Sequence, residues 1–157
     1  TRLLITQNDV RAIQLAKAAL RAGIDLLVEH AGSPEVRDIR LAGAFGAHID
    51  PIYAMALGLI PDCPIAGVRS VGNAAGSGAV QALLSRAKRT EMESAVRGVV
   101  KIETATEPRF QELFVAAMAF PHATASNPNL ASVLSLPVRD TGTADNTRNA
   151  RRRRSTN

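Results

Sequence analysis

The sequence predicts an α/β domain in which about three mostly parallel strands are flanked by helices. Apolar residues recur at helical spacing in some segments and form short continuous runs in others, and the two kinds of segment alternate along the chain. Glycine-rich turns follow two of the apolar runs. Such alternation is typical of a parallel or mixed sheet with helices packed on it.

The first helix is predicted to begin after Thr6, a good capping residue, with Asp9 at the position that completes a capping box. Gly32 and Pro34 should end it. One apolar stripe recurs every three or four residues and is expected to face the core: Val10, Ile13, Ala16, Leu20, Ile24 and Leu27.

Three apolar runs are predicted to be strands, at residues 38–42, 68–71 and 99–104. Asp50 followed by Pro51 should open a second helix that Gly58 closes.

Three further helices are expected, at residues 79–84, 86–97 and 107–120. Ser85 and Thr106 are the predicted caps of the last two, and Pro121 should stop the chain's last helix. Three strands with both edges open make a thin sheet, so we expect further strands from sequence outside this chain. The first residue is Thr1 rather than Met, which also suggests a piece of a longer protein.

The net charge of +5 belongs mostly to the end of the 157-residue chain. From residue 137 onward there are six arginines and two aspartates, whereas the preceding 136 residues carry 13 basic and 12 acidic side chains. We therefore predict a domain over residues 1–121 and a disordered, arginine-rich tail over residues 122–157. Nucleic-acid binding by the tail is an alternative, although the body is near neutral, has 3% aromatic residues and carries no recognition motif.

Composition excludes several other classes of protein. Cys63 is the single cysteine, so this chain can build neither a disulfide framework nor a thiolate metal or iron–sulfur site. No run approaches the roughly 18 apolar residues of a membrane helix, and we expect a cytoplasmic protein without a membrane partner. No spacing of histidines and carboxylates predicts a metal site.

The two glycine-rich turns are the candidate ligand-binding segments, because ligands of α/β sheets gather at the carboxyl ends of the strands. The residues singled out are Gly43, Ala44, Phe45 and Gly46 in the first turn and Gly72, Asn73 and Gly76 in the second. Small residues let a ligand approach the backbone, and the second turn opens a helix whose free N–H groups favour an anion. Tight strand-to-helix packing selects the same residues, and neither turn is a Walker A loop or a clean Rossmann fingerprint.

No residue receives a catalytic assignment. His48 follows the first turn as a loop histidine, and the capping position of Asp50 accounts for its carboxylate. Cys63 would need an activating base before it could act as a nucleophile.

Several blocks of sequence together resemble the reductive activators of corrinoid proteins. They include residues 5–11, 14–19 and 21–24, the turn from Leu41 to Gly46, residues 49–51 and 56–62, the turn up to Gly78, and short matches as far as residue 122. Complete members of this family pair a two-iron ferredoxin domain with an ATPase domain of the acetate kinase, sugar kinase, Hsp70 and actin superfamily.

The resemblance implies a partial actin-like, ribonuclease H-like ATPase subdomain. Residues 41–46 occupy the place of the superfamily's adenosine-binding element, although Ala42 stands where its Gly-Gly pair begins. The resemblance further implies ATP with Mg²⁺ and a two-iron cluster in the longer protein, a corrinoid protein or methyltransferase as partner, and a possible homodimer.

The main hypothesis is an ATPase that supports reduction of Co(II) to Co(I), and two alternative functions stay open. One is a non-catalytic module that docks a partner, and the other is nucleic-acid binding through the tail. We expect the isolated chain to be inactive as an ATPase, because a phosphoryl-transfer site needs phosphate cradles and a metal that these segments do not supply.

Overall fold

The structure is a computed structural model that describes residues 3–135. Its first helix, α1, covers Gln7–His30 and begins with the predicted capping box. The Asp9 backbone N–H donates to the Thr6 hydroxyl oxygen at 3.3 Å, and the Thr6 N–H donates to the Asp9 carboxylate at 2.8 Å. Gly32 follows the helix with a φ of +83°, as expected for a glycine stop.

Two parallel strands form the sheet of the described residues, β1 over Ile39–Ala42 and β2 over Val68–Gly72. The α/β class with a parallel sheet is confirmed. The prediction of a third strand over residues 99–104 is wrong, because this segment pairs with no other strand in the described residues. Val99 and Val100 are exposed there, and the Val99 N–H donates to the Val96 carbonyl at 3.2 Å rather than to a neighbouring strand.

Two short helices connect the strands, α2 over Gly43–His48 and α3 over Pro51–Ala56. Asp50 caps α3 as predicted, since its carboxylate accepts from the N–H groups of Ile52 and Tyr53 at 2.8 and 3.2 Å. The first glycine-rich segment is therefore helical from Gly43 onward rather than an open turn.

Between the sheet and residue 135, the last one described, there are four helices: α4 over Ala74–Leu84, α5 over Arg86–Arg97, α6 over Pro108–Ala117 and α7 over Pro128–Ala131. The bounds of α5 and its Ser85 cap are as predicted. The start predicted for α4 is five residues too late, because Asn73 already caps the helix there. Thr106 does not cap α6; its hydroxyl donates to the Glu103 carbonyl instead. No helix among residues 3–135 is long and apolar enough to cross a membrane.

The buried face of α1 differs from the predicted stripe. Ile13, Leu20 and Leu27 are each at least half exposed. The buried residues are instead one leucine and four small or charged residues: Leu26, Lys17, Ala18, Arg21 and Ala22. Charged residues can replace an apolar face here because their polar ends reach main-chain carbonyls.

The core continues beyond residue 121, where the predicted domain ends. Leu130 of α7 is fully buried against a cluster formed by Ala54, Met55, Ile60, Cys63 and Val68. Packed structure therefore extends to about residue 134, and the arginine-rich end lies outside the described residues.

Candidate functional site

The carboxyl ends of β1 and β2 lie side by side. Ile39, Arg40 and Leu41 pair in register with Val68, Arg69 and Ser70, after which the register shifts and Ala42 pairs with Gly72. The two glycine-rich segments therefore start from adjacent positions at one edge of the sheet, here called the glycine edge (residues 42–46 and 72–76). This adjacency is what parallel strands require, and it brings the two predicted segments together.

Gly43 and Gly72 have the backbone geometry that only glycine adopts readily. Their φ angles are +84° and +59°, in the left-handed region where a Cβ is strained. The space that a Cβ would occupy is open at both residues, since apart from the adjoining chain no heavy atom of the described residues lies within 4 Å. A ligand can therefore come close to the main chain at these two positions.

Gly46 and Gly76 have a different explanation. A Cβ on Gly46 would lie 2.8 Å from the Leu41 carbonyl carbon, so the packing of α2 on β1 requires glycine there. A Cβ on Gly76 would lie 2.5 Å from the side-chain nitrogen of Asn73. At these two positions packing and capping account for the glycine.

Asn73 is exposed at the start of α4, and its side-chain oxygen accepts from the Gly76 N–H at 2.9 Å. This bond caps the helix and leaves the amide NH₂ of Asn73 at the glycine edge. Ala44 is exposed in α2, and its carbonyl lies 2.8 Å from Nδ1 of His48. His48 is the last residue of α2, so it is a helix residue rather than the loop residue that the sequence predicted. Phe45 belongs to α2 by its backbone.

Sequence reasoning missed a buried polar cluster on α1. Lys17 and Arg21 are 1% and 5% exposed, and they donate to the carbonyls of Ala119 and Ile60. Arg21 also pairs with Asp25 at 2.8 Å, and Asp25 lies 3.7 Å from the buried His122. The four-residue spacing of Lys17, Arg21 and Asp25 is the signal that could have revealed a polar face of the helix.

This cluster joins three parts of the chain. Nδ1 of His122 accepts from the N–H groups of Thr124 and Ala125, at 3.3 and 3.1 Å, so the imidazole is fixed with its other nitrogen toward Asp25. The cluster ties α1 to the segment after α6 and to the loop before β2. We interpret the cluster as stabilising the fold rather than binding a ligand, because each buried charge contacts a partner within the chain.

Three other features of the described residues bear on chemistry. Cys63 is fully buried in the core, and burial raises the pKa of its thiol, with the nearby charge of Asp62 acting in the same direction. The described residues bring together no group of three or more His, Cys, Asp or Glu that could hold a metal ion. An apolar groove of about 560 Å³ has no glycine-edge residue in its lining, which consists of Val10, Ile13, Tyr53, Ala56, Leu57, Phe120 and Leu134.

Comparisons with known proteins agree on one family. A sequence profile of the family described as "C-terminal domain of RACo the ASKHA domain" matches residues 1–131. The corrinoid activation enzyme RamQ of Eubacterium limosum is 42% identical over 120 residues, which are 75% of this chain and 20% of RamQ. A solved structure of a reductive activator for corrinoid, iron-sulfur protein matches with a TM-score of 0.69 and 32% identity, covering 76% of this chain and 19% of that one.

This chain thus spans about a fifth of the length of these two relatives. The profile match runs from the first residue through α7, and the structural match has the same α/β architecture. The chain belongs to the family of the C-terminal ASKHA domain of RACo, the reductive activators of corrinoid proteins.

Proposed function

We propose that this chain is part of an ATP-dependent reductive activator of corrinoid proteins and that its glycine edge forms the adenosine side of a nucleotide cleft. The whole protein would support reduction of Co(II) to Co(I) in a corrinoid partner. Family membership supports the proposed activator role, since both relatives are named for corrinoid activation. The adjacency of Ala42 and Gly72 carries the assignment of the cleft.

The chemistry of the glycine edge fits a nucleoside. The open approaches to Gly43 and Gly72 let a flat ring system or a ribose contact the main chain without a side chain in between. The amide NH₂ of Asn73 can donate to a base or a ribose oxygen while its carbonyl continues to cap α4. The N-terminal turn of α4 adds a positive dipole end at the same edge.

The proposal divides the work between this chain and the rest of an activator. ATP, when bound, supplies free energy that can be coupled to a conformational change around the corrinoid partner. The described residues offer no cluster for Mg²⁺, and one cysteine cannot hold a two-iron cluster. We therefore assign neither cofactor to these residues, whose role is to bind and orient the nucleoside.

The test is the substitution Gly43→Ala in the full-length protein, with Gly32→Ala as its matched control. Gly32 has nearly the same φ, +83° against +84°, and its Cβ position is equally open. Both variants therefore carry a similar backbone strain of about 1–2 kcal/mol. Gly32 follows α1 and lies outside the glycine edge.

We expect the two variants to lose similar amounts in melting temperature, whereas ADP affinity falls at least about tenfold in Gly43→Ala alone. Isothermal titration calorimetry measures the affinity, and calorimetric melting shows that both variants are folded. If Gly43→Ala binds ADP as tightly as Gly32→Ala does, the first glycine segment does not contact the nucleotide.

A further inference from the structure

A buried histidine closes the turn that follows α6. His122 is 8% exposed, and its Nδ1 accepts from the backbone N–H groups of Thr124 and Ala125 at 3.3 and 3.1 Å. We call residues 122–125 the histidine turn. A ring nitrogen that accepts hydrogen bonds carries no proton, so His122 is the neutral tautomer with its proton on Nε2. The turn therefore depends on one protonation state of one side chain.

The charged groups around the imidazole come from α1. One oxygen of Asp25 lies 3.7 Å from Nε2 of His122, and the other pairs with Arg21 at 2.8 Å. A Cβ on Gly58 would lie 3.5 Å from Nζ of Lys17 and 3.7 Å from Cβ of His122, so the ammonium group is near the ring as well. Two positive charges and one negative charge leave this buried group with a net charge of +1.

The other segments packed around the ring add no charge. They are the loop of residues 57–60, which contains Gly58, and residues 113–127, which include the end of α6 and the histidine turn. Apart from His122, neither segment contains a titratable side chain. The charge that the imidazole experiences from the described residues is therefore set by α1.

A proton on Nδ1 of His122 would disrupt the turn for two reasons. It would replace an acceptor by a donor that faces two N–H donors, and it would raise the net charge of the buried group to +2. Asp25 favours an imidazolium, but its carboxylate already faces the Nε2 proton of the neutral ring, and Arg21 offsets its charge. The closed turn thus excludes the second proton.

We propose that the histidine turn is a pH-sensitive device that is closed at neutral pH and opens under mildly acidic conditions. Opening would release the segment from Ala119 to Ala125 from α1, including Phe120, whose ring lies 4.1 Å from Nζ of Lys17 and lines the apolar groove. This inference goes beyond the proposed function and holds whether or not a nucleotide binds.

The size of the effect follows from proton linkage. A histidine in the opened segment has an ordinary pKa of about 6.5, so it is about 10% protonated at pH 7.5 and about 90% protonated at pH 5.5. The closed turn is neutral at both values. The stability of the closed turn is therefore fully present above about pH 6.5 and lost below it, and the opened population rises about tenfold between pH 7.5 and 5.5.

Amide hydrogen exchange of the full-length protein at pH 7.5 and 5.5 measures this opening, once each rate is divided by the rate of an unstructured peptide at the same pH. We expect the protection of residues 123–126 to fall about tenfold at pH 5.5. In His122→Asn the amide oxygen can accept from the same two N–H groups without titrating, so protection there should not depend on pH. His30→Asn is the matched control, because it removes a histidine that is 45% exposed, and it should respond like the unaltered protein.

Exchange of the imidazole C2 proton provides a second measurement that needs no variant. Trypsin places His122 alone on the peptide of residues 110–139 and His30 alone on that of residues 22–37. The exchange midpoint of the first peptide should lie about one pH unit or more below that of the second. Protection of residues 123–126 that is unchanged or higher at pH 5.5, or a midpoint for His122 at or above that of His30, would overturn the proposal.

Discussion

Asp62 fixes the last described helix to the core, and its removal gives a prediction whose size can be worked out. Its carboxylate accepts three hydrogen bonds from the start of α7, each 2.9 Å long, from the backbone and side-chain nitrogens of Asn129 and from the Leu130 backbone. Leu130, the third residue of that helix, is fully buried. Asp62→Ala removes all three acceptor contacts at once.

The Asp62→Ala protein can respond in two ways, and the response that costs less free energy determines how much stability is lost. If α7 stays in place, its partly buried N–H groups lose a charged acceptor, at about 1–3 kcal/mol for each unsatisfied group. If α7 detaches, the protein loses the burial of Leu130, about 1.5–3 kcal/mol. We therefore expect Asp62→Ala to lower the free energy of unfolding by about 2–3 kcal/mol. Asp62→Asn keeps one acceptor oxygen and should lose less.

Urea unfolding followed by circular dichroism measures these differences. Glu93→Ala is the control for loss of a negative charge, since Glu93 is exposed on α5, and it should unfold like the unaltered protein. The reasoning fails if Asp62→Ala is as stable as Glu93→Ala, because α7 would then contribute nothing to the core.

Two further predictions concern single ionisable groups. Hydrogen bonds with Thr6 lower the pKa of Asp9 below its ordinary 3.8, so its stabilising effect is fully present above that value and disappears as pH falls through the lowered folded-state pKa. Asp9→Asn should accordingly lower the melting temperature at pH 7, with the difference shrinking below about pH 4; a pH-independent difference would count against the capping box. Cys63, fully buried with a raised thiol pKa, should react with iodoacetamide at pH 8 at least about a hundredfold more slowly in native than in urea-unfolded protein, and equal rates would show an open core.

Local signals in the sequence predicted some of the helix ends, although not the start of α4 or the cap of α6. Ser85 and Gly98 flank α5 at the predicted bounds, and Thr6 with Asp9 forms the predicted box. A cap depends on side chains and N–H groups within three residues, so the sequence contains all the information that it needs. The adjacency of the two glycine segments was also predictable, since it follows from parallel pairing alone.

Features that depend on distant partners were not predictable in this way. Residues 99–104 have the composition of a strand, but a strand exists only beside another strand, and none is available to them in the described part of the chain. The buried charges of α1 depend on carbonyls 39 and 102 residues away, at Ile60 and Ala119. A helical pattern read by itself assigns such residues to solvent.

The sequence also could not show why each individual position is glycine. Four glycines were predicted to bind a ligand from the same pattern, yet Gly46 and Gly76 are required by packing and capping. Of these four glycines, Gly43 and Gly72 combine a left-handed φ with an open approach. These two residues remain the strongest candidates for the nucleoside contact.

The central claim is that the nucleoside lies at the glycine edge, and amide hydrogen exchange of the full-length protein with and without ADP tests it most directly. Peptides that cover residues 42–48 and 72–78 should exchange more slowly when ADP is bound, while those covering residues 86–97 in α5 should not change. Protection by ADP that leaves both glycine segments unchanged would contradict the claim.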